Sequence, residues 1–559
     1  MLKPSSLAKW GVAVLLMTSL SSCEDILEQY LPKPTPPPTT PTTPTFPSLG
    51  LDIPFYALSG GTRLDAFSTA NPATRTGSVS ITGLGSGETL LAIDFRPATG
   101  QLYGVSSGSR LYVINQNTGV ARAIGAGAFT PAVAGNLVGF DFNPTVDRIR
   151  LVTATGQNLR LNPETGTIAN TDGVLNGAVG ATITGAAYTN NTTKAATTVL
   201  YDLDPATDQL YRQDPPNDGT LVAVGSLNLN ITGDGGFDID ANTGTALGLY
   251  AVNGNPTLFA VDLSTGAARP LAQYSTSAAY SGIAIPTQPV VYAAGYITIP
   301  GRSTVNYLYT FDPTNTSDPA AANSQTLRLD RNQAVKGLDF RPATGQLYAL
   351  VTGDGGRFLD GTIFNASTRL YTVDLMTGAT TLVADLSMPL ASPSTLFFDL
   401  SNSYGFDFDP VTDRIRIVVS TSGRNLRVNP TDGTVTVDSN VNPSVPFIGA
   451  VAYTNSFAGA TSTNLYALGG NKLYLLDPPN AGTLTEIGTI GLSGFSRAQS
   501  VNLFDIGGTT NTAYALSVGG NNKNVISSLN LATHTATYLR NLDLAGGPFI
   551  YSLAVAPGF

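Results

Sequence analysis

Short runs in which apolar and polar residues alternate fill the chain from about Pro54 to its end. The run Arg369–Asp374, RLYTVD, is typical, and turns rich in Gly, Pro, Asn, Asp and Thr separate it from its neighbours. Alternation with a period of two is the pattern of a half-buried antiparallel strand, and no stretch of comparable length shows sustained helical periodicity. The pattern therefore predicts an all-β protein.

Four such strands form one module. In one module they are Gly337–Phe340, Gln346–Val351, Arg369–Asp374 and the segment ATTLVADL that follows the turn MTG. The ten-residue sequence DFRPATGQLY, at Asp339–Tyr348, spans the end of the first strand, the turn and the start of the second strand. The same ten residues occur unchanged at Asp94–Tyr103. Because proline cannot donate to a strand ladder and fits a turn, we expect this sequence to form the hairpin between the first and second strands of a module.

The modules fall into two copies, at residues 49–287 and 288–559. GFDFNPTVDRIRLV in the first copy matches GFDFDPVTDRIRIV in the second, and NLRLNPETGTI matches NLRVNPTDGTV. Each copy holds five modules of about 47 residues, the period of a β-propeller blade. Each copy begins with the second strand of a module and ends with a first strand. The last strand of a copy would therefore complete that copy's first module. We expect two tandem five-bladed propellers; one ten-bladed ring is the alternative, since GIAIPTQPVVYA at the boundary resembles an internal hairpin.

The N-terminus has the pattern of a secretory leader. Residues 1–22 combine an early lysine, a short apolar run and small residues, and their last three residues form the tetrapeptide LSSC together with Cys23. This resembles the lipobox of bacterial lipoproteins, which implies a lipidated Cys23 as the mature N-terminus and membrane anchor. Residues 23–48 then form a Pro/Thr-rich stalk. Glu24 and Asp25 resemble signals that place lipoproteins on the bacterial outer membrane facing the exterior, and we expect that location.

The paired motifs carry a resemblance to a family. G-x-D-F-x-P-x-T-x-x-L-Y, G-F-D-F-x-P-x-x-D-R-I-R and N-L-R-x-N-P together resemble the bacterial domain of unknown function 4394, in both copies. The resemblance implies secreted, propeller-like proteins. It carries over no catalytic or binding residue.

Composition narrows the possible chemistry. A net charge of −9 with 12% charged residues argues against a nucleic-acid partner. The single cysteine excludes thiolate metal clusters, and the single histidine, His534, lies in an expected turn. We therefore expect no cofactor and no metal. A calcium site at Asp234, Asp238 and Asp240 is a weaker reading, because only the middle aspartate has a counterpart in the second copy.

Aspartates recur at one position of the first strand. A row of them would either line an acidic channel mouth or bind backbone N–H groups of neighbouring turns. They are Asp94, Asp141, Asp238, Asp339, Asp407 and Asp505.

The third module of each copy carries three arginines. Two lie on one face of a strand and the third lies on the adjoining strand. They pair with nearby carboxylates such as Asp141 and Asp147, or they form an anion-binding groove. They are Arg148, Arg150 and Arg160 in the first copy and Arg414, Arg416 and Arg427 in the second.

Connections after the second and fourth strands vary between copies, and in a propeller they emerge on the same face. Variable loops on a rigid scaffold are where binding residues concentrate. The longest belong to the second copy and offer Arg357, Phe358, Asp360 and Phe364, with an apolar cluster at 396–398.

These features favour a cell-envelope lipoprotein that is a non-catalytic binding or adhesion scaffold for a protein or a glycan. The alternatives are a carbohydrate-active enzyme that uses carboxylates at the propeller mouth, and a structural spacer of the envelope.

Overall fold

A computed structural model describes most of the chain after the stalk. The described residues are 46–299, 303–316, 323–353, 356–357, 359–360, 363–364, 366–386, 403–444, 448–491, 503–518, 524–542 and 549–559. The predicted leader, Cys23 and most of the stalk lie outside them, as do Phe358 and the 396–398 cluster. Within the described residues, no helix has the length and apolar character needed to cross a membrane.

The first copy consists of twenty strands and two single-turn 3-10 helices, η1 (Pro216–Asp218) and η2 (Thr276–Ala278). The strands are β1 (Pro54–Ser59), β2 (Arg63–Ser68), β3 (Gly77–Ser80), β4 (Leu90–Phe95), β5 (Leu102–Ser106), β6 (Leu111–Ile114), β7 (Ala121–Ile124), β8 (Val138–Asn143), β9 (Arg148–Thr153), β10 (Asn158–Asn162), β11 (Thr167–Thr171), β12 (Gly185–Tyr188), β13 (Leu200–Asp204), β14 (Gln209–Gln213), β15 (Leu221–Ser226), β16 (Ile231–Ile239), β17 (Ala246–Val252), β18 (Asn255–Val261), β19 (Ala268–Gln273) and β20 (Tyr280–Ala284).

The second copy repeats this order, with one 3-10 helix, η3 (Pro479–Ala481), in its described part. Its strands are β21 (Val291–Ile299), β22 (Ser303–Phe311), β23 (Ser324–Leu327), β24 (Gln333–Arg341), β25 (Gln346–Gly353), β26 (Gly356–Arg357), β27 (Ile363–Phe364), β28 (Ser367–Val373), β29 (Thr380–Asp385), β30 (Tyr404–Asp409), β31 (Arg414–Val419), β32 (Asn425–Val428), β33 (Val435–Val437), β34 (Ala450–Tyr453), β35 (Leu465–Gly469), β36 (Lys472–Leu476), β37 (Leu484–Thr489), β38 (Leu503–Ile506), β39 (Ala513–Val518), β40 (Asn524–Asn530), β41 (Thr535–Leu542) and β42 (Phe549–Val555).

These strands form ten four-stranded antiparallel sheets among the described residues, and β26 and β27 pair as a separate short hairpin. Most sheets take four strands in succession, as β4 to β7 do. In two sheets, the last strand of a copy pairs with the first strand of the same copy: β20 pairs with β1, and β42 pairs with β21. The prediction of an all-β protein built from repeated four-stranded modules is confirmed.

Burial falls from the first strand of a sheet to the fourth. In β8, VGFDFN, five of six residues are buried, whereas in β11, TIANT, four of five are exposed. The core lies between the faces of successive sheets, where aromatic pairs recur: Tyr103 meets Phe142 edge-on with centroids 5.2 Å apart, and Tyr348 meets Phe408 at the same distance. Such pairs stabilise beyond the area they bury.

The repeated sequence DFRPATGQLY forms the predicted hairpin in both copies. In the first copy it joins β4 to β5, and the amide N–H of Gly100 donates to the carbonyl of Arg96 at 2.7 Å. Gly100 and Gly345 adopt φ of +65° and +69°, a conformation that favours glycine. The arginine of this sequence pairs with an aspartate of the next module, Arg96 with Asp147 and Arg341 with Asp413.

The two copies contact each other through these turns. The hydroxyl of Tyr292 donates to the carbonyl of Ala98 at 2.9 Å, and the N–H of Gly558 donates to the carbonyl of Thr99 at 2.9 Å. A Cβ on Gly345 would lie 2.5 Å from Oε1 of Gln101, so the two hairpins touch. We call the surface that contains both hairpins the turn face.

One loop of each copy contacts the other copy across the turn face. Lys194, in the first copy, donates to Oγ1 of Thr310 at 3.2 Å, and its pKa is lowered to about 8 by burial against a smaller opposing effect of Asp374. The matching loop of the second copy carries Gly459, which lies beside Val120 of the first copy. Each copy thus offers the same loop to the other.

Candidate functional site

The arginines of the third module are held by a carboxylate that sequence reasoning missed. Arg150 and Arg160 are cross-strand neighbours, as predicted. Both guanidinium groups bind Asp172: Nη1 of Arg150 lies 2.6 Å from Oδ2, and Arg160 forms a fork with N–O distances of 2.8 and 2.9 Å. Burial raises the pKa of Asp172. The hydrogen bonds that Asp172 accepts from Arg160, Asn170 and Arg150 outweigh that effect and hold its pKa below the ordinary value.

Arg150 also links two sheets. Its Nη2 donates to Oδ1 of Asn217, in η1 of the next sheet, at 2.8 Å, and its Nη1 donates to Asn158 at 2.7 Å. The side chain is only 1% exposed. Every contact of this guanidinium is therefore with the protein itself, which is the geometry of a buried inter-sheet connection.

The second copy repeats this arrangement. Arg416 and Arg427 share Asp438, with N–O distances of 2.6 and 2.7 Å, and Nη2 of Arg416 donates to Asn480 at 2.6 Å. The signal in the sequence was an aspartate that follows Arg160 and Arg427 at nearly the same spacing.

Arg148 and Arg414 lie apart from these groups. Nη1 of Arg148 donates to the carbonyl of Asp147 at 2.8 Å, and Arg414 donates to the carbonyl of Asp413 at 2.9 Å. The aspartates expected to neutralise them bind elsewhere, since Asp147 pairs with Arg96.

The predicted loop residues of the second copy are only partly described. Arg357 lies in β26 and Phe364 in β27, but their side chains are outside the described residues, as is all of Phe358. Asp360 pairs with Arg331 at 2.8 Å, and both side chains are half exposed.

The recurring aspartates form two buried triads. Asp94, Asp141 and Asp238 make triad one, in which one carboxylate oxygen from each residue lies within 4.8 Å of the others. Asp339, Asp407 and Asp505 make triad two, with the same spacing. All six side chains are buried in the first strands of their sheets.

Each triad receives five backbone N–H groups. In triad one, both oxygens of Asp94 and both of Asp238 accept one N–H, and Oδ1 of Asp141 accepts the fifth. The donors of triad one are Phe95, Phe142, Tyr188, Ile239 and Ile285. Those of triad two are the matching residues Phe340, Phe408, Tyr453, Ile506 and Val555. The expected binding of backbone N–H groups is confirmed, but the donors are first strands rather than turns.

Most of these bonds join neighbouring sheets. Oδ2 of Asp94 accepts from Phe142 in β8 at 2.8 Å, and Oδ2 of Asp238 accepts from Ile285, directly after β20, at 2.6 Å. One oxygen of triad one, Oδ2 of Asp141, is buried and accepts no hydrogen bond from the described residues.

Three buried carboxylates this close cannot all be ionised without a large cost. Burial raises the pKa of Asp94 and Asp141 well above the ordinary carboxyl value, and charge repulsion within the triad adds to it. Burial also raises the pKa of Asp238 and Asp505 to about 7. The triads therefore retain protons near neutral pH, and Oδ2 of Asp141 is the oxygen with room for one.

The weaker calcium reading is wrong in its choice of ligands. Asp234 is exposed at the start of β16, Asp238 belongs to triad one, and Asp240 binds the N–H and hydroxyl of Thr243 at 2.9 and 2.7 Å. These three carboxylates do not converge, because the residues lie along one extended strand.

A cleft of about 500 Å³ opens in the first copy, at the ends of the strands away from the turn face. We call it the outer pocket. Its lining residues lie in connections after second and fourth strands and at the adjoining ends of β4, β16, β17, β18 and β20. Such connections are where the sequence predicted binding residues. They are Gly60, Gly61, Thr89, Leu90, Leu91, Asn136, Leu137, Thr232, Gly233, Asp234, Ala251, Gly254, Pro256, Thr276, Ala279, Tyr280 and Ser281.

Two features of the outer pocket bear on a ligand. Ser281 is 8% exposed, and its Oγ has no hydrogen-bond partner among the described residues. The Tyr280 hydroxyl, in contrast, donates to Asp65 at 2.9 Å. Sequence reasoning placed the binding residues in the long loops of the second copy and missed this pocket, whose walls come from four sheets far apart in the chain.

A family model described as Domain of unknown function (DUF4394) matches residues 63–284 and 307–551. The chain belongs to this family. The two matches confirm that it carries two copies of the DUF4394 domain, and no curated protein matches it.

Two solved structures are similar to this DUF4394 protein at low sequence identity. A chain of a nidogen/laminin complex is 9% identical with a TM-score of 0.27, over 48% of this chain and 98% of that one. PorZ, a bacterial surface component of the type-IX secretion system of Porphyromonas gingivalis, is 14% identical with a TM-score of 0.25, over 86% of this chain and 63% of that one.

Proposed function

We propose that this protein is a lipid-anchored, surface-displayed scaffold that binds a protein or a glycan without catalysis. Its two copies are two five-bladed β-propellers joined through the turn face. The outer pocket is its ligand site.

Strand packing supports two rings rather than one of ten blades. The first strands of the first copy contact one another in a cyclic order, β4, β8, β12, β16, β20 and again β4. In the second copy the order is β24, β30, β34, β38, β42 and β24. A ten-bladed ring would need β20 to adjoin the second copy instead, whereas β20 pairs with β1. The triads reinforce each order by joining neighbouring first strands.

The observation that carries the binding role is the outer pocket. Ligand sites are concave, lie at the mouths of barrels and similar scaffolds, and combine an apolar surface with a few polar groups. The outer pocket has this composition: Leu91, Leu137 and Pro256 are apolar, while Asp234 and Ser281 offer polar atoms.

The enzymatic alternative has weaker support. Glycoside hydrolysis needs two carboxyl groups about 5 to 9.5 Å apart at one substrate. Among the described residues that line the outer pocket, Asp234 is the only carboxylate. The carboxylates of the triads are buried, and nearly all their oxygens accept backbone N–H groups.

Anchoring and location rest on the sequence, namely the leader, the lipobox cysteine and the stalk. A diacylated Cys23 would give stable attachment, since one acyl chain alone gives marginal binding.

The experiment uses the full-length chain, expressed with Cys23 intact and as Cys23→Ala. We expect acyl labelling and protease accessibility on intact cells for the first and loss of both for the second. Purified full-length chain in mild detergent should bind a glycan or an envelope protein saturably without releasing a product. Turnover of a bound glycan would favour the enzyme, and absence of any saturable ligand would favour the spacer.

A further inference from the structure

Three positions that line the outer pocket differ in kind between the copies. Strand pairing aligns Gly60 with Tyr296, because each lies two residues after the point where the register shifts, at Leu58 in β1 and Ala294 in β21. The bulged residue of β20, Ser281, aligns with Tyr551 in the same way. The bulged residue of β4, Leu91, aligns with Lys336 in β24.

In the second copy these three side chains pack on each other. The rings of Tyr296 and Tyr551 stack with centroids 4.3 Å apart and an interplanar angle of 16°. Nζ of Lys336 lies 5.0 and 4.7 Å from the two ring centroids and donates to the Tyr296 hydroxyl at 2.8 Å. Stacked rings with a cation over them form a compact, mutually stabilised group. It fills the positions that line the outer pocket in the first copy.

The first copy has small or apolar residues at the same positions, and space remains. Gly60 has no side chain, and Ser281 presents a buried hydroxyl without a partner among the described residues. A buried hydroxyl left unpaired costs free energy, which a ligand that pairs with it would recover.

The lining disfavours an anionic ligand. The polar residues Thr89, Thr232, Thr276 and Asn136 line the cleft, and none of the described lining residues is Lys, Arg or His. The one charged lining group is Asp234. An anion would meet a carboxylate and no cation, so it is disfavoured, while a carboxylate accepts hydrogen bonds well from neighbouring hydroxyls.

We infer that the outer pocket of the first copy binds a neutral, hydroxyl-rich ligand, a saccharide of about disaccharide size, and that the second copy has lost this capacity to its tyrosine–lysine group. The size follows from the cleft of about 500 Å³, within the usual range for small-ligand sites. The saccharide hydroxyls bind Asp234, Ser281 and the threonines, and its C–H face packs on Leu91, Leu137 and Pro256. This inference rests on the proposed binding function and names the ligand class of its site.

The test exchanges residues between the copies in the full-length chain. Ser281→Tyr and Leu91→Lys introduce into the first copy side chains that the second copy accommodates. Asp234→Asn removes the charge without filling the cleft, and Tyr551→Ser makes the reverse exchange as the matched control. The parent chain and each variant are screened against neutral and acidic oligosaccharides. The affinity for each oligosaccharide that binds is then measured by calorimetry, and urea unfolding midpoints verify that every variant is folded.

We expect saturable binding of neutral oligosaccharides. Ser281→Tyr should weaken it at least about tenfold, because the new ring occupies ligand space, while Tyr551→Ser leaves it within about twofold. Undiminished affinity in folded Ser281→Tyr, or binding restricted to acidic oligosaccharides, would overturn the inference. Failure to bind any neutral glycan would also overturn the inference. The proposed binding function would fail only if the protein bound no envelope protein either.

Discussion

The hydrogen bonds of triad one predict that replacing an aspartate by asparagine destabilises the protein at Asp94 but not at Asp141. Asparagine keeps the shape of aspartate, but it has one acceptor oxygen and one NH₂ donor. At Asp141, Oδ1 accepts from Tyr188 at 3.1 Å and Oδ2 accepts nothing from the described residues. An NH₂ group fits the position of Oδ2 and donates to a neighbouring carboxylate, as a protonated acid would.

At Asp94 both oxygens accept a backbone N–H, at 2.7 and 2.8 Å. Asparagine there places an NH₂ group against one of these donors, so a hydrogen bond is lost and a buried N–H is left unpaired. Such a loss costs about 1 to 3 kcal/mol. Asp141→Asn removes a buried acid whose pKa is raised, so we expect it to be neutral or stabilising at pH 8.

Urea unfolding of the full-length chain at pH 8 measures both variants against the parent. The midpoint for Asp94→Asn should fall and that for Asp141→Asn should be equal or higher, a separation of about 2 kcal/mol at unchanged slope. Asp339→Asn and Asp407→Asn repeat the comparison in the second copy. Equal destabilisation at Asp94 and Asp141, or a stability that depends on added Ca²⁺, would refute the reasoning and indicate that the triad holds a cation.

Three further predictions follow from buried charges. Asp238 and Asp505 have pKa values raised to about 7, against 3.8 for an ordinary aspartate, so the native state binds more protons than the unfolded state between these values. The free energy of unfolding should therefore fall as pH rises from about 4 to 8. Urea unfolding midpoints at pH 5 and pH 8 measure this change, and a higher midpoint at pH 8 would contradict the prediction. Asp202 is buried with neither oxygen paired among the described residues, its pKa is raised to about 8 by burial, and Ala467 occupies its place in the second copy. Asp202→Ala should raise the free energy of unfolding by about 1 to 3 kcal/mol at pH 8 and by less at pH 5, and an unchanged or lower urea midpoint would count against it. Arg150→Ala should cost on the order of 3 kcal/mol in the same assay, because it leaves Asn217 and part of Asp172 unpaired, whereas Arg148→Ala should cost under about 0.5 kcal/mol; similar losses would show that the inter-sheet connection is unimportant.

Local patterns in the sequence predicted the local structure well. Alternation identified the strands, and Pro, Thr and Gly in DFRPATGQLY identified the hairpin, because strand and turn preferences act over a few residues. The cross-strand pairing of Arg150 with Arg160 also follows from strand neighbours.

The site depended on residues that are distant in the chain. Asp94 and Asp238 belong to different sheets and are distant in the chain, yet one carboxylate oxygen from each lies within 4.8 Å of the other. The sharing of N–H groups between sheets cannot be read from one strand. The outer pocket exists because small residues line it: Gly60 and Ser281 leave space that their counterparts Tyr296 and Tyr551 fill. A sequence shows which side chains are present, whereas a cavity depends on how far backbones lie from each other.

The turn face has a consequence for assembly. Both DFRPATGQLY hairpins, and the matching loops that carry Lys194 and Gly459, take part in it, as equivalent elements do in a symmetric homodimer. A chain with a single copy of the domain would expose Ala98 and its neighbours to solvent, and it would associate with a second molecule only above some concentration. In the duplicated chain the partner is covalently supplied, so the pair persists at any dilution. Each half can then differ from the other, as Gly60 and Ser281 differ from Tyr296 and Tyr551.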